Sequence, residues 1–81
     1  MNKEILETLD KIVPVVARVH KDNHPELGEV EKLYNKVKDN PSGEVFERLR
    51  EVTKNYEIPA DACPTYTKTY ELLAALEKEL G

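Results

Sequence analysis

The sequence has no tryptophan, one cysteine, three glycines and no long apolar run. The single cysteine, Cys63, excludes an internal disulfide and is typical of a protein in a reducing compartment. A membrane-spanning helix needs about 20 consecutive apolar residues, and no stretch of the chain approaches that length. The first residues also lack the basic and then apolar order of a secretion signal. The sequence therefore predicts a soluble, cytoplasmic protein that does not enter a membrane.

Basic residues are also few and scattered. The chain has 12 Lys and Arg against 16 Asp and Glu, which gives a net charge of −4. Arg48 and Arg50 lie close together, but Glu47 and Glu51 flank them. Binding to nucleic acid needs a concentrated Lys/Arg face. We therefore expect no nucleic-acid partner.

Apolar residues recur at steps of three and four along four segments, which is the pattern of amphipathic α-helices. The chain is too short for more than one domain. The pattern predicts a single all-α domain over residues 1–81, a small antiparallel bundle of about four helices without strands. The predicted helices span about residues 2–20, the segment from near Pro25 to Asp39, the segment from an N-cap at Ser42 to a point before Ile58, and the segment after the break at residues 59–64.

Pro14 interrupts the first predicted helix. Its ring nitrogen has no hydrogen to donate to the carbonyl of Asp10, and the ring clashes with that carbonyl. We expect either a kink or two short helices that meet at this point. The apolar stripe of this helix is read as Ile5, Leu9, Ile12, Val16 and Val19.

The four apolar stripes together predict the core. The tyrosines lie near the edges of their stripes, so we expect them to pack there with their hydroxyls in water. The predicted core residues are Leu9, Ile12, Val16, Leu33, Val37, Phe46, Leu49, Leu73 and Leu76, and the tyrosines are Tyr34, Tyr56, Tyr66 and Tyr70.

His20 and His24 are the only histidines, and their spacing of four is also that of zinc-binding helices. Pro25 forces His24 out of helical geometry, so the two rings need not converge. One pair also supplies only half of a tetrahedral shell. The simpler interpretation is one histidine near the end of a helix, where a positive ring is mildly favoured, and one in the following turn.

Cys63 lies at the predicted start of helix four. A cysteine becomes reactive where a helix N-terminus or a basic neighbour favours the thiolate. No histidine is near Cys63 in the sequence, and a buried structural cysteine is the commoner case. The chain has no phosphate-binding glycine loop, no nucleophile elbow and no Glu-x-x-His motif, so no motif indicates an enzyme.

Three stretches resemble the RIC family, hemerythrin-like di-iron proteins that repair iron–sulfur centres. Residues 16–27 (VARVHKDNHPEL) resemble the family's entry into its second helix. Residues 41–66 (PSGEVFERLREVTKNYEIPADACPTY) are similar to a glycine-initiated helix that ends at a threonine and an aromatic residue, followed by a proline loop and Ala-Cys-Thr. Residues 69–80 (TYELLAALEKEL) resemble the helix that leads to the family's last iron ligands.

The resemblance implies a helical bundle that holds two irons through histidines and carboxylates from all four helices. His20 is the one residue that matches a ligand position. At the family's Glu-His-Asp-x-Ala-Gly motif this chain has KDNPSG over residues 38–43, which places Asp39 where the ligand histidine is expected. The family's final histidine and glutamate have no counterpart before Gly81. We therefore expect no iron in the monomer.

Three hypotheses follow. The resemblance implies a role in iron–sulfur cluster repair and the stress response through contact with a repair protein, an iron–sulfur client or a second copy. The alternative is an Fe or Zn site shared between chains, with His20 and Asp39 as ligands and Glu26 as a further donor. The third is an unrelated helical adaptor. None of these hypotheses requires an enzyme.

Overall fold

The computed structural model describes residues 2–80, and within them it contains four α-helices and no strand. The helix α1 packs against α2 and α4, and α2 packs against α3. No helix in this range is long and apolar enough to span a membrane. The predicted small all-α bundle is confirmed. Its helices are α1 (Asn2–Val19), α2 (Glu26–Asp39), α3 (Gly43–Thr53) and α4 (Pro64–Leu80).

The helix boundaries follow local chemistry. Pro25 has a φ of −62° and directly precedes α2, as suits a residue whose ring fixes φ near the helical value. At the start of α3 the Ser42 Oγ accepts the backbone N–H of Val45 at 3.3 Å. This bond confirms the predicted N-cap, because it satisfies one of the free donors of the first turn. The predicted end of helix two at Asp39 is confirmed as well.

The helix α1 continues through Pro14 without a break. The alternative of two short helices is therefore wrong, while the kink stays a prediction. Pro14 is exposed, so its ring points away from the packed face of α1. Packing of the helix on both sides of the proline stabilises it against the loss of one backbone hydrogen bond.

The core agrees with the predicted stripes in α2, α3 and α4, and it differs in α1. Eight of the nine predicted core residues are buried, and Ile12 is half-buried. On α1 the buried row includes Val13 and Ala17, whereas Val19 is 64% exposed. The predicted stripe on α1 was thus rotated by about one residue, since Leu9, Val13 and Val16 also follow helical spacing.

Three tyrosines belong to the core instead of its edge. Tyr34, Tyr66 and Tyr70 are at most 2% exposed. The Tyr34 hydroxyl donates to the backbone carbonyl of Leu6 at 2.9 Å and lies 2.8 Å from a carboxylate oxygen of Asp10. The Tyr66 hydroxyl donates to that of Tyr70 at 3.4 Å. The prediction of wet hydroxyls was wrong for these three, because protein groups take the place of water.

Candidate functional site

Two connections meet at one end of the bundle and bring four chemically active side chains together. The α1–α2 connection carries His20 and His24, and the α3–α4 connection carries Asp61 and Cys63. The backbone N–H of His24 donates to the carbonyl of His20 at 2.7 Å, which holds both rings on one turn. We call His20, His24, Asp61 and Cys63 the histidine–cysteine cluster.

The sulfur of Cys63 has two polar neighbours. Its Sγ lies 3.3 Å from Nε2 of His20 and accepts the backbone N–H of Tyr66 at 3.4 Å. The second bond makes Cys63 the N-cap of α4, because Pro64 and Tyr66 occupy the first and third helical positions. Cys63 is half-buried and packs against the core. It therefore combines a nearby base, a helix N-terminus and partial access.

His24 is held between two carboxylates. Its Nδ1 lies 3.1 Å from Glu26, its Nε2 lies 3.0 Å from Asp61, and its side chain is 16% exposed. Burial opposes the charge on the ring, but the hydrogen bonds to Asp61 and Glu26 outweigh it and raise the pKa of His24. The hydrogen bond to His24 lowers the pKa of Asp61 in turn. Only the protonated imidazole donates to both carboxylates, so this geometry favours the imidazolium.

The ring of Tyr66 packs against both histidines. Its centroid lies 5.1 Å from that of His20 and 5.3 Å from that of His24, each in an edge-to-face arrangement. The histidine rings are 6.4 Å apart. Tyr66 itself is fully buried, so it fixes both rings against the core. The two histidines thus lie near each other but bind different partners.

Asp39 lies far from this cluster. It is exposed at the end of α2 opposite to Glu26, and a helix of 14 residues is about 20 Å long. Within one chain the structure does not bring Asp39 and His20 together. The pairing of His20 with Cys63 and the role of Asp61 as a partner of His24 were not predicted, since these residues are 43 and 37 positions apart in the sequence.

The side chains of this end do not fit a di-iron centre. Such a centre needs inward-pointing carboxylates and histidines from facing helices. His20 contacts a sulfur, and the buried residues of α4 are Tyr66, Thr69, Tyr70, Leu73 and Leu76. Across residues 2–80 no three His, Cys, Asp or Glu side chains are grouped to hold a metal ion. The donor set that the RIC resemblance implies is not assembled in this part of the chain.

The fold and the cluster define a small all-helical protein with a paired histidine and cysteine at one end. No family model matches the chain, and no solved structure matches it. The chain is similar to the iron–sulfur cluster repair protein ScdA of Staphylococcus haemolyticus, with 25% identity over an alignment of 117 residues. The alignment covers 95% of this chain and 53% of ScdA, so the chain spans about half the length of this relative.

The alignment is longer than this chain of 81 residues. It therefore contains gaps where ScdA has residues that this chain lacks. The similarity is distant, but it extends along nearly the whole chain instead of one motif. It supports the RIC resemblance at the level of a remote relative.

Proposed function

We propose that this protein takes part in iron–sulfur cluster repair through contact with another protein, without a di-iron centre of its own. The similarity to ScdA over 95% of the chain carries this proposal. The second part of the proposal is that the chain has no di-iron centre of its own. The side chains of residues 2–80 support it, because they do not group the further ligands that two irons need around His20. A role in the response to oxidative or nitrosative stress belongs to the same proposal.

The outer face of α1 carries two exposed apolar side chains. Val15 is 40% exposed and Val19 is 64% exposed, and both are large apolar side chains. The two valines are four residues apart, so they lie on the same face of α1. Large apolar side chains that are exposed next to each other favour a protein-binding surface over a purely solvated one. We propose that this surface binds the repair partner.

The experiment is a binding measurement with purified proteins. The immobilised chain is titrated with full-length ScdA and, separately, with an iron–sulfur protein whose cluster has been damaged by oxidation. We expect saturable binding to one of them and at least about a tenfold loss of affinity for Val19→Asp, because the new charge is desolvated in the interface. Ile58→Asp is the matched control, since Ile58 is also 40% exposed but lies in the α3–α4 connection.

Two results would contradict the proposal. If neither protein binds, a repair role through these partners is lost and an unrelated helical adaptor is favoured. If binding persists unchanged in Val19→Asp, the partner uses another surface. Substitutions at exposed positions cost little stability, so we expect both variants to fold. Circular dichroism of each variant checks this.

A metal site shared between chains is the alternative proposal. The observation in its favour is that His20 and Cys63 already place a nitrogen and a sulfur donor 3.3 Å apart. Zinc and ferrous iron bind such donors, and the other ligands, including Asp39 and Glu26, would come from a second copy. Elemental analysis of the purified protein, repeated on His20→Ala, tests this alternative. A stoichiometric metal that His20→Ala removes would favour it over protein contact alone.

A further inference from the structure

A cavity of about 360 Å³ opens where the start of α2, the end of α3 and the first turns of α4 meet. Its apolar lining is formed by Val52, Pro59 and the rings of Tyr66 and Tyr70. Sites for small molecules are clefts of about 300 to 1,000 Å³ that combine apolar walls with a few polar groups. This cavity has the size of a small site of that kind.

The two tyrosines of the lining keep a hydrogen-bond donor without an acceptor. Tyr66 and Tyr70 are 0% and 2% exposed, and one bond of 3.4 Å joins their hydroxyls. Each hydroxyl has one hydrogen, so this bond leaves one hydrogen over, and no residue of 2–80 accepts it. Burial raises the pKa of both tyrosines, and the charge of Glu26 raises it further, so both hydroxyls stay protonated at neutral pH. An acceptor oxygen of a bound ligand would satisfy the remaining donor.

The ionic side chains of the lining include one cation and one anion without a partner. His24 is paired with Glu26 at 3.1 Å and with Asp61 at 3.0 Å, so these charges compensate one another. Lys54 and Glu57 also line the cavity, and both are exposed. Within residues 2–80 neither of them forms an ion pair. A free ammonium and a free carboxylate on one cavity complement a ligand that carries both signs of charge.

We propose that this cavity binds a small zwitterion, a free α-amino acid with an apolar side chain. Its carboxylate binds Lys54 and the remaining tyrosine hydroxyl, and its ammonium binds Glu57. Its side chain packs against Val52 and Pro59. This inference is independent of the proposed role in repair.

The backbone at the edge of the cavity gives a second and independent reason. Lys54, Asn55 and Tyr56 have φ values of 55°, 61° and 61°, and we call them the left-handed turn. Residues other than glycine adopt this conformation singly as a rule, because Cβ crowds the following carbonyl oxygen. Three in succession are strained, and strain of this kind is concentrated at ligand sites. Here the turn brings Lys54 and Glu57 to one cavity.

Hydrogen bonds hold the left-handed turn in this conformation. The backbone N–H of Asn55 donates to the carbonyl of Arg50 at 2.8 Å, and that of Tyr56 donates to Oγ1 of Thr53 at 2.9 Å. The Tyr56 hydroxyl donates to Glu77 of α4 at 2.9 Å. The turn is therefore ordered before a ligand arrives, which reduces the entropy cost of binding.

The first test is an NMR titration of the ¹⁵N-labelled wild type with four probes. L-Leucine carries both charges and an apolar side chain, leucinamide lacks the carboxylate, N-acetyl-leucine lacks the ammonium, and glycine lacks the side chain. We expect saturable shifts of the amides of residues 52–57 and 66–70 with leucine, with a Kd below about 10 mM. Leucinamide and N-acetyl-leucine should each bind at least about tenfold more weakly, because each loses a charged hydrogen bond. Glycine should bind at least about fivefold more weakly, because it buries no apolar surface.

Three results of this titration would overturn the proposal. The first is the absence of saturable shifts with leucine, and the second is saturable shifts confined to residues outside the two segments. The third is equal affinity for leucine and for either probe with a single charge, which would show that the cavity does not recognise a zwitterion. Equal affinity for glycine would overturn the contact with Val52 and Pro59. These comparisons need only the wild type, so they do not depend on the folding of a variant.

The second test assigns the two charged contacts. Lys54→Gln and Glu57→Gln should each bind leucine at least about fivefold more weakly than the wild type does. Lys54→Gln should bind leucinamide as the wild type does, because that probe has no carboxylate to lose. Lys68→Gln, at an exposed position of α4 outside the lining, is the control and should bind leucine within about twofold of the wild type. Wild-type affinity of both cavity variants for leucine would overturn the proposed contacts.

The third test concerns the strain. Glycine adopts a positive φ without a steric cost, so Lys54→Gly should raise the midpoint of urea unfolding. The same substitution should weaken leucine at least about fivefold, because the ammonium is lost. A more stable variant that binds leucine poorly would show that the turn keeps its strain for the cavity. An unchanged or lower midpoint would overturn the argument from strain, and unchanged affinity would overturn the role of Lys54.

Discussion

Phe46 offers the sharpest test of the packing. It is the only phenylalanine in the chain, it is 1% exposed, and it lies on the face of α3 that packs against α2. Substitution of a fully buried phenylalanine by alanine costs about 3 to 5 kcal/mol, because apolar contacts are lost and a cavity remains. A fold of 81 residues has a free energy of unfolding of only about 4 to 12 kcal/mol. Phe46→Ala should therefore remove a large fraction of the stability.

The assay is urea unfolding followed by far-ultraviolet circular dichroism, which reports helix content directly. Proteins of this size lose about 1 to 3 kcal/mol of stability per molar urea, so the midpoint of Phe46→Ala should fall by more than about 1 M. Val45→Ala is the matched control, since Val45 is the preceding residue and is only half-buried. Its loss should be clearly smaller, at about 0.5 to 1.5 kcal/mol, because it removes fewer buried atoms.

The result that would refute this reasoning is a loss below about 1 kcal/mol for Phe46→Ala. Such a value would mean that the ring is not enclosed and that the face of α3 is assigned wrongly. An equal loss for both variants would lead to the same conclusion. A loss that leaves the variant unfolded in water remains consistent with the prediction.

Three further predictions test other parts of the chain. Hydrogen bonds to Asp61 and Glu26 raise the pKa of His24. The stabilisation from the protonated His24 is therefore complete below pH about 6.5, and it is lost as the pH rises through the raised pKa. The stability of the wild type should fall over this interval, whereas that of His24→Gln should be nearly flat. Ser42→Ala should cost about 1 kcal/mol in urea unfolding, because the N–H of Val45 loses its cap. Excess chelator should leave the thermal midpoint unchanged, and a large drop would favour the shared metal site.

The boundaries of the helices were predictable because the signals for them are local. Ser42, Pro25 and Pro64 each act on the first turn of the helix that follows, so their neighbours in sequence are sufficient to place them. The buried face of α1 was not predictable in this way, since residues 12–17 (IVPVVA) are apolar throughout. A continuous apolar stretch allows several rows with helical spacing. Which row faces inward depends on how α2 and α4 pack, and that information is not local.

No local sequence pattern predicts the pairing of His20 with Cys63, but the topology predicts that both residues lie at the same end of the bundle. In an up-and-down bundle of four helices the first and third connections lie at the same end. The sequence places a histidine before Pro25 in the first connection and a cysteine before Pro64 in the third. This arrangement alone favours a shared end for the two residue types. It does not give the partner of each ring, because His24 and His20 are one turn apart and both pack against Tyr66, so the choice between Asp61 and the sulfur depends on how the two connections pack together. The arrangement of this end is therefore a property of tertiary packing, in which the buried ring of Tyr66 contacts both histidines.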